Sequence, residues 1–400
     1  MTTWQQCAEK ALRDEALTRD ECRAVLRAPD DQLLDLLQAA FRVRERYFGR
    51  TVRLQMLLNA KSGACQEDCH YCSQSAVSTA DIARYGLLPV GQMIDGARRA
   101  AAAKAQRYCI VISGRSPLDR EITEIANAVR SIKQEVPIQI CCSLGLLNED
   151  QARTLKAAGV DRINHNLNTS ESHHAAICTT HTFRDRLATI ANARSAGLEI
   201  CSGGIIGMGE GDDDVIDLAL ALREVKPDSI PVNMLHPVAG TPLEGCHELT
   251  PQRCLKTLCL FRFLHPRTEI RVAGGREFNL GNLQPLALYP ADSLFVDGYL
   301  TTPGQPAAEA WRMITDLGFE VEVAYRPVTR DGEGSVSSLV TQPLNNRLPR
   351  RPAGRQIAGH ERGPDRESQR LGEQPGRDQE LDAPPERLLV DHLHEQQGQQ

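Results

Sequence analysis

The sequence predicts an α/β fold, a (β/α)8 TIM-type barrel with an N-terminal helical extension and a disordered C-terminal tail, and three observations carry that expectation. Eight short runs rich in β-branched and apolar residues lie between residues 52 and 298. Stretches with helical spacing separate them, several closed by Gly, so strand and helix alternate about every 30 residues, the pattern of a parallel sheet. After Tyr325 the chain contains no Phe, Tyr or Trp. Eight strand-helix units favour a closed barrel over an open doubly wound sheet, which stands as the alternative.

The elements follow in order. Residues 1–45 read as a helical lead-in, with Leu33, Leu34, Leu36, Leu37 and Phe41 at helical spacing behind a start at Asp30-Asp31. The barrel occupies 46–325. Its strands are VRLQMLL, RYCIVIS, PIQICCSL, VDRINHN, LEICSGGI, DSIPVNML, TEIRVAG and DSLFVDG, and its helices include DGARRAAAAKAQ, REITEIANAVRSIKQ, EDQARTLKAAG, FRDRLATIANARSAG and DDVIDLALALREV. From 326 to 400 the chain is dense in Arg, Gln, Glu, Pro and Gly, too poor in apolar surface to offset the entropy of ordering, with LLVDHLHEQQ at most a transient helix.

Composition narrows the function. A net charge of −6 offers no basic footprint for nucleic acid or an anionic membrane, which leaves a small-molecule substrate. The first residues mix acids and bases without an apolar core, unlike a leader, and no run reaches the roughly 18 apolar residues of a membrane span; a cytoplasmic location is expected. The 13 cysteines, an odd number without a signal, argue for a reducing compartment in which thiols bind metal or pack.

The segment KSGACQEDCHYCSQS follows the first strand and sets Cys65, Cys69 and Cys72 in CxxxCxxC spacing at the strand's C-terminal end, where barrel active sites sit. Three thiolates so spaced can hold three corners of a 4Fe-4S cube and leave one iron open to an external ligand. A structural zinc site wants four ligands and paired CxxC spacings, and His70, adjacent to Cys69, is poorly placed as the fourth.

Side chains alternate across a strand, so one parity faces the barrel interior. Cys109, Val111 and Ser113 share a face; so do Gln139, Cys141 and Ser143, then Arg162, Asn164, Asn166 and Asn168, and then Ser229 and Asn233, with Cys201 and Arg271 on their own strands. The opposite faces are apolar. A barrel used only as packed core would be filled by Val, Ile and Leu, so this interior is expected to hold something polar or metallic. Three inward thiolates suit an iron-sulfur cluster, and an inward Arg can donate a nitrogen or neutralise its charge. Of the adjacent pair, parity selects Cys141 over Cys142. Cys7, Cys22, Cys178, Cys246, Cys254 and Cys259 fit no pattern and are expected to pack or to be exposed.

CxxxCxxC with an aromatic before the last cysteine, Tyr71, resembles the radical S-adenosylmethionine signature. The strand motifs YCIVISG, QICCSLG, NHNLNTS, CSGGIIGMGE, IPVNML and IRVAGGRE resemble the biotin synthase family, in order, from about 46 to 325. That resemblance implies a 4Fe-4S cluster on Cys65, Cys69 and Cys72 and a 2Fe-2S cluster on Cys109, Cys141, Cys201 and Arg271. It also implies S-adenosylmethionine near Tyr71, with Asn166 and Asn233 beside it and the substrate, and Gly204, Gly207 and Glu210 in a turn beside the adenine. Asn168 stands where some members carry a ribose-contacting Asp, so a charge-assisted hydrogen bond becomes a neutral one.

The resemblance further implies a sulfurtransferase. A 5'-deoxyadenosyl radical takes hydrogen from dethiobiotin, and the carbon radical captures sulfide from the second cluster to close the ring of biotin. The barrel's later part would be the one associated with biotin and thiamin synthesis. A flavodoxin- or ferredoxin-type electron donor, iron-sulfur assembly machinery and a homodimer come with it. A hydrogenase-maturation or pyrrolysine-pathway radical enzyme would share the first cluster but not the second. A non-catalytic iron-sulfur sensor or scaffold is the reading from another class.

Overall fold

The computed structural model describes residues 2–322. The expected tail at 326–400, with its LLVDHLHEQQ segment, lies outside the described residues. Among the described residues ten strands form: β1 (Thr51–Lys61), β2 (Arg107–Ile112), β3 (Gln139–Ser143), β4 (Arg162–Asn164), β5 (Glu199–Cys201), β6 (Gly204–Ile206), β7 (Ser229–Met234), β8 (Glu269–Val272), β9 (Ser293–Phe295) and β10 (Glu320–Val321). Each pairing is parallel. The path β1-β2-β3-β4-β5-β7-β8-β9 returns to its start, with Arg53 opposite Ser293 and Gln55 opposite Phe295, so eight strands close a barrel. Closure selects the barrel over the open sheet.

Two strands depart from the expected set. The run LEICSGGI splits into β5 and β6, the latter paired with β7 and bridged through Gly204 to Asn168. The break falls where the chain presses on its neighbour: a Cβ on Gly203 would lie 2.0 Å from the Pro231 carbonyl oxygen. Only glycine permits that approach. The added strand, β10, extends the start of β1, with Thr51 opposite Glu320.

The parity rule holds on the outer face. Ile110, Ile140, Cys142, Ile163, Ile200, Ile230, Val232, Ile270 and Val272 are buried against the surrounding helices. Each such aliphatic contributes about 1.5–3 kcal/mol of transfer free energy. Local signals define the helix ends. Asn148 caps Glu149–Ala158 by accepting from Gln151 N at 2.8 Å, and Gly159 ends it at φ +103°.

The lead-in forms helices Thr3–Leu12, Arg19–Leu26 and Leu33–Phe48, the last after a 3-10 turn at Asp30–Gln32. Leu33, Leu36 and Leu37 are buried, whereas Leu34 is 69% exposed and lies off the apolar stripe. The fully buried Arg44 ties this helix to the barrel, donating to the carbonyls of Thr51 (2.6 Å) and Ala291 (3.3 Å), at the starts of β1 and β9.

Candidate active site at the barrel mouth

The loop leaving β1 carries the cysteine triplet and is closed by its own backbone. Ser62 and Tyr85 exchange N–H···O bonds of 3.1 and 3.0 Å, Ala76 N donates to Glu67 O at 2.8 Å, and Cys72 N donates to Cys69 O at 3.1 Å. His70 N donates to Ile177 O at 2.9 Å, which pins the loop to the segment following β4. Cys65, Cys69, Tyr71 and Cys72 thereby line a cavity of about 310 Å³, together with Cys109, Cys141, Asn166, Asn168, Asn233 and Arg271. Residues of six strands or their exits, up to 206 positions apart in the chain, thus share one space.

Cys201 does not line the cavity but lies against Asn164 and Arg271, which do. Its sulfur accepts from Asn164 Nδ2 at 3.2 Å and from Arg271 Nη1 at 3.5 Å. Arg271 also donates to Ser229 Oγ at 2.7 Å and Ser293 Oγ at 3.3 Å, and its guanidinium stands 5.0 Å from the Phe295 ring centroid. Below it the buried carboxylate of Glu269 receives Gln55 Nε2 (2.6 Å) and Arg162 Nη1 (3.1 Å), with Arg107 Nη1 at 3.6 Å. Burial opposes ionisation of Glu269, but Arg271, Arg162 and Arg107 outweigh it and hold the carboxylate well below its usual range.

Three guanidinium groups therefore face the buried carboxylate of Glu269 and the half-exposed one of Glu199, which takes Arg162 Nη2 at 2.7 Å, and the one positive charge left over sits beside Cys109, Cys141 and Cys201. Cys141 is pushed down by its hydrogen bond with Cys109, against burial, with help from Arg107, Arg162 and Arg271; Cys109 is pushed up by the same hydrogen bond and by burial. The buried Nε and Nη1 of Arg107 have no hydrogen-bond acceptor. This donor set, three sulfurs backed by surplus cationic donors, fits an anionic iron-sulfur group.

The asparagines divide. Asn168 adopts φ +72°, a left-handed conformation Asn tolerates, and donates to the Tyr71 hydroxyl. Asn166 Oδ1 accepts from Gly203 N at 3.2 Å. The Asn233 amide bridges two neighbouring segments, donating to Gly204 O and accepting from Gly274 N, both at 3.0 Å. Gly204, Gly207 and Glu210 do not line the cavity. They shape the turn behind Ile205, which does, and the Glu210 carboxylate accepts from Gly207 N and Met208 N at 2.7 Å each.

Two functional candidates escape the sequence reading. Arg186, on helix Phe183–Ser195, lines the cavity; it donates to Asn166 O at 2.9 Å and to His181 Nε2 at 2.6 Å, while its buried Nε has no acceptor. Nothing in its helical context marks it. Cys178 is 2% exposed, with its sulfur 3.7 Å from that of Cys69 and 3.3 Å from His181 Nδ1. The hydrogen bond with Cys69, helped by His181, pushes the Cys178 thiol down to about 4. The CxxH spacing of Cys178 and His181 was its legible signal. Cys7, Cys22, Cys254 and Cys259 do pack in the core.

Comparison with known proteins completes the description. Residues 60–222 match the Radical SAM superfamily and residues 231–320 the Biotin and Thiamin Synthesis associated domain. The biotin synthase of Geobacillus kaustophilus is 51% identical over 327 residues, covering 82% of this chain and 98% of that protein. The biotin synthase of Bacillus subtilis strain 168 is 50% identical over 322 residues, covering 80% and 96%. Among solved structures, methylornithine synthase superposes with a TM-score of 0.70 at 19% identity, over 79% of this chain and 97% of its own. The FeFe-hydrogenase maturase HydG from Carboxydothermus hydrogenoformans gives 0.68 at 18%, over 80% of each. At such identities these two speak for the barrel alone.

Proposed function

Because the chain belongs to the biotin synthase family, its reaction is the insertion of sulfur into dethiobiotin to give biotin, and we propose how named residues of the cavity divide that work. Cys65, Cys69 and Cys72 hold the 4Fe-4S cluster at the mouth. Cys109, Cys141, Cys201 and Arg271 hold the 2Fe-2S cluster at the floor. When bound, the first cluster with S-adenosylmethionine supplies a carbon radical, and the second supplies the sulfur. The observation that carries this reading is a single cavity lined by the triplet and by Cys109, Cys141 and Arg271, with the Cys201 sulfur held against Arg271 at 3.5 Å just behind its wall.

The protein's own task is to bind, orient and keep water out, since a primary carbon radical attacks any misplaced C–H bond. Arg186 offers its unpartnered Nε to the carboxylate of S-adenosylmethionine beside Cys69. Tyr71 and Asn168, joined by their hydrogen bond, receive the adenosine; the turn of Gly204, Gly207 and Glu210 supports that wall through Ile205. Asn166 and Asn233 border the substrate space; Asn233 commits one N–H to Gly204 O and one oxygen lone pair to Gly274 N, which leaves one donor and one acceptor of its amide for a ureido ring. Glu269 and the Cys201 sulfur keep the Arg271 guanidinium charged against burial, so the nitrogen that ligates iron has to give up its proton on doing so.

The chain is read in three parts: a lead-in of 1–45, the barrel of 46–325 and the segment 326–400. A flavodoxin- or ferredoxin-type donor, iron-sulfur assembly proteins, a homodimeric state and a cytoplasmic location belong to the same reading; no helix among the described residues is long and apolar enough to cross a membrane. Anaerobic reconstitution tests the division of labour. About six irons per chain are expected, and about four would remove the second cluster. Restoration of biotin-free growth to a host lacking this step tests the reaction itself.

A further inference from the structure

We propose that His181, with Glu67 behind it, is a positioning residue that fixes the guanidinium of Arg186 in the cavity and so sets the affinity for S-adenosylmethionine. This role rests on the one given to Arg186, the capture of that molecule's carboxylate. Glu67 stands between Cys65 and Cys69 in the loop leaving β1, while His181 precedes helix Phe183–Ser195 and Arg186 lies in its first turn. The three are 5%, 7% and 7% exposed, so their polar atoms have to be satisfied by one another. His181 Nε2 is 2.6 Å from Arg186 Nη2, and Nδ1 faces the Glu67 carboxylate. A guanidinium only donates and a carboxylate only accepts, so the two contacts admit one form of the ring, with its proton on Nδ1 and its lone pair on Nε2. The other tautomer would set N–H against N–H at Arg186 and a lone pair against the carboxylate.

The relay is held at each link. Glu67 accepts from Arg115 Nη1 at 3.0 Å and from the Thr180 hydroxyl, Cys178 Sγ lies 3.3 Å from His181 Nδ1, and the His174 ring meets that of His181 edge-on with centroids 5.4 Å apart. His181 borders the cavity, but both of its ring nitrogens are engaged and neither is left for a ligand. Arg186 differs. Its Nη1 donates to Asn166 O at 2.9 Å and its Nη2 to His181, while the buried Nε has no acceptor. Anchors on both arms fix the plane of a rigid fork, and that plane decides where the Nε–H points. Without the Nε2 lone pair one arm is free, and the guanidinium turns about the bond to Asn166. The aim of the fork is therefore set in advance, by an imidazole whose tautomer the cysteine loop dictates through Glu67, and a carboxylate binds without having to order it.

The test uses the full-length chain, loaded anaerobically with iron and sulfide. Binding of S-adenosylmethionine is measured by equilibrium dialysis, and KM and kcat from the 5'-deoxyadenosine released. His181→Leu, which removes both ring nitrogens, is expected to raise Kd and KM for S-adenosylmethionine about 10- to 100-fold, the range of one hydrogen bond to a charged group. Its kcat at saturation should stay within about threefold of wild type and its iron content unchanged, since only binding is lost. His181→Gln offers an acceptor and a donor from one side chain and should return the affinity to within about threefold. His181→Met, whose adaptable apolar chain fills the same space, takes the place of the leucine variant if that one unfolds. Arg186→Ala, measured alongside, separates the two assignments. Wild-type affinity in Arg186→Ala removes Arg186 from the cofactor and the relay with it, whereas weak binding there beside wild-type affinity in His181→Leu overturns the relay alone. Equal loss in the leucine and glutamine variants, or a fall in kcat or iron content at unchanged KM, would give His181 a purely structural part and overturns its positioning role.

Discussion

Cys141 and Cys142 show how much a single residue decides. Cys141 lines the cavity opposite Cys109, whereas the next side chain is fully buried among Ile110, Ile140 and Ile163 in the layer between strands and helices. Alternation along β3 is enough to send one thiol to chemistry and the other to packing. Cys141→Ala is expected to abolish biotin formation while cleavage of S-adenosylmethionine remains measurable by the 5'-deoxyadenosine released. Cys142→Ala should keep both at a cavity cost of about 1 kcal/mol, read by denaturant melts. Loss of cofactor cleavage in a folded Cys141→Ala protein would refute the separation of roles. Parity made this pair legible in the sequence. Parity says nothing of Arg186 or Cys178, whose importance comes from atoms contributed by other segments.

At the scale of elements, helix Pro251–Leu264 is buried along almost its whole length and ends at His265, whose Nε2–H donates to Ala219 O at 3.0 Å on the adjacent helix. Burial, with Arg223 and Arg262 nearby, lowers the imidazole from its ordinary 6.5 to about 3, so the folded protein keeps it neutral. The unfolded chain takes up a proton below about pH 6.5 and the folded one does not. The stabilisation associated with this neutral ring is therefore complete above pH 6.5 and is lost progressively as pH falls toward 3. Between pH 6.5 and 5 the wild type should lose about 2 kcal/mol relative to His265→Gln, at about 1.4 kcal/mol per pH unit. Parallel pH dependences of the two proteins would exclude this. The element also illustrates a limit of pattern reading. Helical spacing finds amphipathic helices such as Asp119–Glu135, but Pro251–Leu264, buried on nearly every side beneath the lead-in, has no polar face to display periodicity.

On the scale of the whole molecule, the lead-in completes the barrel wall. Leu36, Leu37, Ala40 and Val43 are buried in the common core, and Arg44 satisfies backbone carbonyls at the starts of two strands. Removing residues 1–48 should expose that apolar face and yield a chain that aggregates or binds a hydrophobic dye; a soluble truncated chain with an undiminished cooperative melt would show the lead-in to be dispensable. The barrel, its polar interior and the two groups of cysteines were determined by the sequence alone, because strand alternation, helix periodicity and ligand spacing are properties of neighbouring residues. The tertiary structure decided what those patterns do not contain. It split the fifth run at Gly203 through a steric contact with Pro231, turned the Asn233 amide toward backbone groups, and set Cys178 against Cys69, 109 residues apart in the chain. Such contacts depend on how loops close and helices seat on the sheet, and no local period encodes them.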